Sequence, residues 1–158
     1  MSGITSIKWA VYSDFTMKNN ELGIDAPLEI SQNLAVLGNK KVIVDDTNTA
    51  EVYGSGDLPV FATPAMIGLM EFTASASVSS YLEEGQSTVG TVVNVKHVAA
   101  TPVGMEVHCE SELVEIDRKR LVFNVKAYDE CGLIGEGVHE RFIIDVEKFM
   151  SRTNGKKA

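Results

Sequence analysis

Between Lys41 and Lys96 the chain carries neither lysine nor arginine. A carboxylate buried in that stretch has no nearby sequence partner, and burying one alone costs several kcal/mol or shifts its pKa upward. Cysteine is scarce too: Cys109 and Cys131 lack metal-type spacing and are expected as free thiols. No apolar run approaches the roughly 18 to 20 residues of a membrane-spanning helix, and residues 1–20 lack a basic flank before an apolar stretch. A cytoplasmic protein without membrane contact is expected. Basic charge is in deficit, with 14 Lys and Arg against 22 Asp and Glu and a formal net charge of −8. That argues against a nucleic-acid partner, whose binding is driven by basic groups releasing counterions. A phosphate-binding glycine loop, Cys/His metal spacing and a Gly-x-Ser-x-Gly elbow are all missing, so no metal, cofactor or nucleotide chemistry is expected.

What is present is an ordinary globular composition, 44% hydrophobic and 23% charged over 158 residues, enough for one domain with one core. Residues 1–38 show no sustained period, and their role is unassigned. Two readings stay open, an N-terminal extension or translation starting at Met17. The domain proper is expected over 39–150, followed by a basic tail over 151–158. No internal repeat is found.

Lys41-Val-Ile-Val-Asp-Asp46 reads as a strand, and Gly54-Ser55-Gly56-Asp57 as a loop. A helix is expected over about 64–83, with Thr63 as N-cap, Pro64 at the first helical position and Gly85 at the stop. Its Ala, Ser, Gly and Thr, with Met66, Ile67, Leu69, Met70, Phe72 and Val78 spread around the circumference, describe a buried helix. Four period-two segments follow at 91–98, 103–111, 121–128 and 133–145, separated by turns at Thr101-Pro102, Asp117-Arg118-Lys119 and Glu130-Cys131-Gly132. The expected class is α+β, an antiparallel sheet wrapped around one long buried helix.

Glu71 sits mid-helix among Ile67, Gly68, Ala74 and Ser75. It is either a carboxylate solvated through a gap in the sheet or a general base or nucleophile tuned by a low-dielectric site. His97 ends the face made by Val93 and Val95, so it should point toward the helix and pair with Glu71. His108 and His139 flank acidic or polar neighbours and look exposed. Thr63 is explained as a cap, yet its hydroxyl also stands where a helix N-terminus favours developing negative charge. Thr63 and Glu71 lie eight residues apart, a rise of about 12 Å, so if Thr63, Glu71 and His97 act together a folded lid or a second subunit must bring them close. Gly90 marks either a bulge or a place where a carbonyl approaches backbone N–H groups.

The stretch Val60-Phe-Ala-Thr-Pro-Ala-Met-Ile-Gly-Leu-Met-Glu71, with Val89-Gly90-Thr91, Lys96-His97, Ala100-Thr-Pro-Val-Gly104 and Gly135-Glu-Gly-Val-His-Glu-Arg141, closely resembles the fluoroacetyl-CoA thioesterase family of hotdog proteins. The resemblance covers about 40–150. It implies a homodimer or dimer of dimers that hydrolyses an acyl-CoA thioester, with a catalytic set on Thr63, Glu71 and His97. It further implies Gly90 beside the thioester carbonyl and Arg141 near the substrate. Fluoroacetyl-specific members look to carry phenylalanines in the lid before the helix, where this chain has Gly54-Ser55-Gly56-Asp57-Leu58. A small or short-chain acyl-CoA is therefore the expected substrate. A non-catalytic acyl-CoA-binding module and a hotdog enoyl-CoA hydratase are the alternatives.

Overall fold

The structure, a computed structural model, describes residues 36–157. The expected N-terminal segment up to residue 35 lies outside them. In chain order come β1 (Leu37–Ile43), α1 (Ala50–Tyr53), α2 (Thr63–Val78) running into a 3-10 turn at Ser79–Tyr81, β2 (Gln86–His97), β3 (Glu106–Asp117), β4 (Arg120–Asp129), β5 (Gly132–Asp145) and α3 (Val146–Asn154). Among the described residues the strands form one antiparallel sheet in the order β1-β3-β4-β5-β2, and α2 touches every strand of it. This is the α+β plan expected from the sequence.

The core lies between α2 and the sheet's inner face. Met66, Met70, Thr73, Ala74 and Val78 recur at helical spacing and are buried, whereas Phe72 on the same helix is 58% exposed. The apolar residues around the helix therefore resolve into one buried stripe with half-buried flanks. Facing it, Leu121, Phe123, Val125 and Ala127 of β4 alternate as expected and are buried. Burying each of the larger side chains contributes about 1.5–3 kcal/mol. Gly135 on β5 lets the helix approach closely, because a Cβ there would collide with the Met66 thioether and with Lys96 O.

Several boundaries differ from expectation for local reasons. The α-helix stops at Val78, not near residue 83. Ser77 Oγ donates to Ala74 O and Ser79 Oγ to Ala76 O, serine contacts that compete with helical continuation. Thr63 is not the N-cap: Ala62 holds that position and no side chain caps the helix. β2 begins at Gln86, which places Gly90 inside the strand. Val103, the first residue of the strand expected over 103–111, is exposed before β3, in a turn where Gly104 has φ +94°. The short helix α1 was not anticipated.

Candidate active site

The site is built on α2, β2 and β5. Because Thr63 is freed from capping, its Oγ1 lies 2.8 Å from His97 Nδ1 at the end of β2. The expectation that His97 faces the helix holds, but its partner within the chain is Thr63 and not Glu71. His97 Nε2 is buried without a hydrogen-bond partner among the described residues. Desolvation lowers the pKa of the ring, with the nearby Ala99 backbone opposing it. A neutral imidazole with Nδ1 toward a hydroxyl is arranged to accept the hydroxyl proton.

Glu71, two turns further along α2, reaches the middle of β2 instead. Its carboxylate occupies the space that a Cβ on Gly90 would need. Directly after Gly90 the β2–β5 register slips, with Gly90 opposite Arg141 and Val92 opposite Glu140, so a bulge begins at this glycine. Beside Glu71 Oε1 stand His139 Nε2 at 3.8 Å and Arg141 Nη1 at 3.9 Å. The countercharge missing from residues 42–95 thus arrives from β5, across the sheet. The Glu71 side chain stays 40% exposed, and β2, against which it lies, is an edge strand of the sheet.

His139 was expected to be exposed and is not: it is 1% accessible. Its Nδ1 lies 2.8 Å from Val92 O, and its ring packs near Phe123. Arg141, 7% accessible, donates from Nε to Thr88 Oγ1 and from Nη2 to Thr88 O, each at 2.8 Å, and from Nη1 to Glu71 O at 3.5 Å. Its Nη1 also lies 3.2 Å from His139 Nε2. Burial lowers the pKa of both groups; Glu71 opposes that shift in each. Sequence reasoning missed His139 and Thr88. The available signal was parity, since His139 precedes Arg141 by two residues and Thr88 precedes Gly90 by two, which sets each pair on one face of its strand.

The remaining nucleophiles stand apart from this arrangement. Cys109 is buried and its thiol is pushed up to about 11 by desolvation, with Thr73 and neighbouring groups as smaller influences. His108 stacks on Tyr128, with ring centroids 5.1 Å apart.

A family model described as fluoroacetyl-CoA-specific thioesterase matches residues 44–147. The fluoroacetyl-CoA thioesterase of Streptantibioticus cattleyicolor is 42% identical over 97 residues, covering 61% of this chain and 70% of the relative. A solved fluoroacetyl-CoA thioesterase is 35% identical with a TM-score of 0.72, over 76% of this chain and 93% of that one. A Thermus thermophilus member of the thioesterase superfamily is 28% identical with a TM-score of 0.71, over 77% and 90% of the two chains. A hot-dog-like protein from Thermanaerovibrio acidaminovorans, 21% identical with a TM-score of 0.73 over 80% of this chain and 93% of that one, shares the fold. The sheet wrapped on α2 is the hotdog fold.

Proposed function

Since the chain belongs to the fluoroacetyl-CoA-specific thioesterase family, we propose that it hydrolyses the thioester of a small or short-chain acyl-CoA to the free acid and CoA. The observation that carries this reading is the Glu71 carboxylate seated in the gap left by Gly90, beside an exposed strand edge where a thioester can reach it. Thr63, Glu71 and His97 are the proposed catalytic residues. Glu71 takes a proton from water as the water attacks the thioester carbonyl, or attacks it directly to give an anhydride that water then opens. Gly90 backbone receives the carbonyl oxygen, and the Thr63–His97 pair orients the acyl group or the water. The C–S bond breaks and CoA leaves as a thiolate whose pKa, near about 8.5 by analogy with cysteine, asks little of a general acid.

The working unit in this proposal is a homodimer. β2 closes one side of the sheet as an edge strand, is 12 residues long, contains no proline, and exposes Val92 by 42% and Val93 by 41%. Such an edge is an open template for pairing with a second copy. Gly90 and His97 are seven residues apart on β2, about 23 Å. A two-fold axis passing between Val93 and Asn94 sets Gly90 opposite the partner's His97, and so brings Glu71 of one protomer toward the partner's Thr63 and His97. Arg141, buried as it is, supports the substrate through Glu71. The two free cysteines fit the reducing conditions of the cytoplasm, which is the proposed location.

A panel of saturated acyl-CoAs with a thiol reagent tests the reading. Free CoA should appear from short-chain substrates. Binding without CoA release would favour a non-catalytic acyl-CoA module, and turnover of enoyl-CoA alone would favour a hydratase.

A further inference from the structure

His139 has no part in the mechanism above, yet it is one of the largest fully buried side chains and lies within 4 Å of the Glu71 carboxylate. Its environment fixes its chemistry. A carbonyl oxygen only accepts, so the 2.8 Å contact with Val92 O requires the hydrogen on Nδ1. Arginine only donates, so the 3.2 Å contact with Arg141 Nη1 requires a bare lone pair on Nε2. Both contacts close only for the neutral ring in one tautomer. The same ring sits 3.2 Å from where a Gly90 Cβ would be, so glycine at 90 leaves room for carboxylate and imidazole together.

Arg141 is then fully directed. Thr88 takes the hydrogens of Nε and Nη2 on one side of the guanidinium. On the other side His139 accepts one hydrogen of Nη1, which leaves the second to point at Glu71. Because His139 also holds Val92 O, it ties the bulge of β2 to the same arginine.

We propose that His139 is a positioning residue: it holds the Arg141 guanidinium and the β2 bulge in the one arrangement that sets the Glu71 carboxylate against the open edge at Gly90. The inference rests on the thioesterase reading, in which Glu71 is the group that acts on water or the thioester. Burial of the ring, which disfavours its charged form, keeps the acceptor available.

Two substitutions separate positioning from filling space. His139→Asn retains an N–H for Val92 O but is too short to accept from Arg141, whereas His139→Gln places an amide oxygen near the former Nε2. His139→Asn should lower kcat by at least about tenfold with KM changed less than about twofold, and His139→Gln should recover most of the loss. In a Glu71→Gln background His139→Asn should cost nothing further, because residues that act as one unit lose function non-additively. The Arg141 Nε–H resonance, expected to be protected in the wild type by its bond to Thr88 Oγ1, should exchange faster in His139→Asn and regain protection in His139→Gln. Equal kcat for Asn and Gln variants, or an undiminished penalty in the Glu71→Gln background, overturns the proposal. A wild type that releases no CoA from any acyl-CoA would sink the thioesterase reading instead. The arginine resonance would still decide whether His139 holds Arg141, and unchanged protection in His139→Asn would reject that.

Discussion

The Glu71 carboxylate fills the place that a side chain at residue 90 would take, so a helix and an edge strand meet at this site through a missing Cβ. Gly90 itself is exposed within β2, and its neighbours in space are the far end of the flexible Glu71 side chain and, 3.2 Å from where a Cβ would stand, the His139 ring. A methyl group there can be accommodated if Glu71 swings away and the ring gives by a few tenths of an ångström. Gly90→Ala should therefore lower kcat/KM by about 100-fold or more while moving the melting temperature only a few degrees, since misplacing the proposed catalytic carboxylate is costly and a displaced surface rotamer is not. Steady-state CoA release alongside thermal unfolding checks it. A variant with near-normal turnover would show that the carboxylate's seat is incidental.

The hydroxyl–imidazole pair gives a separate expectation. Thr63→Val keeps the β-branched shape and removes the 2.8 Å contact with His97. If His97 works through that hydroxyl, Thr63→Val and His97→Ala should each reduce turnover by roughly 10²-fold or more, and the double variant should be little worse than either. His108→Ala, on a ring stacked against Tyr128 and away from α2, should leave turnover nearly unchanged. Equal mild losses from His97→Ala and His108→Ala would remove the pair from the mechanism.

The sheet and helix were legible in the sequence because their periods are strict: Leu121, Phe123, Val125 and Ala127 alternate, and all four are buried. Thr63, Glu71, Gly90 and His97 were also legible as candidate site residues. Their pairing was not. Parity states which face His97 occupies, but not how far along the helix it lands, and β2 begins early enough that His97 reaches the helix start while Gly90 reaches Glu71. His139 was misjudged because Glu140 and the nearby polar residues suggested an exposed strand. On β5 two of the buried positions are polar, His139 and Arg141, so hydrophobicity alone gives the wrong face there.

Acidification should destabilise the fold through two desolvated imidazoles. His139 and His97 both have folded-state pKa values below the ordinary 6.5, chiefly by desolvation. In the interval below about 6.5 the unfolded chain binds more protons at these sites than the folded one, so stability rises with pH there. The stabilisation is complete above about 6.5 and is lost progressively as pH falls below it. Denaturant unfolding between pH 7.5 and 5 should show this decline, and His139→Gln should flatten part of it. An unchanged slope in that variant would mean His139 does not titrate between the two states.

The two-fold arrangement inferred from the β2 edge makes the most demanding prediction. Within one chain Thr63 and His97 stand at the start of α2 and Glu71 two turns away, a rise of about 12 Å along the helix. If the complete site forms across the pairing of β2 with its copy, two different inactive chains should repair each other. Glu71→Gln supplies an intact Thr63–His97 pair, and His97→Ala supplies an intact Glu71. Randomly mixed by denaturation and refolding, half of the dimers combine one of each, and each such dimer holds one site with all three groups intact. The mixture should therefore recover about a quarter of the wild-type rate per total protein, whereas each variant refolded alone stays inactive. Light scattering on the same samples should give twice the monomer mass of 17.1 kDa, or four times it for a dimer of dimers. Dimers that form but recover no activity would place all three groups of a site in one protomer. A monodisperse monomer that turns over substrate would remove the β2 pairing altogether, because the exposed Val92 and Val93 would then have no partner to cover them.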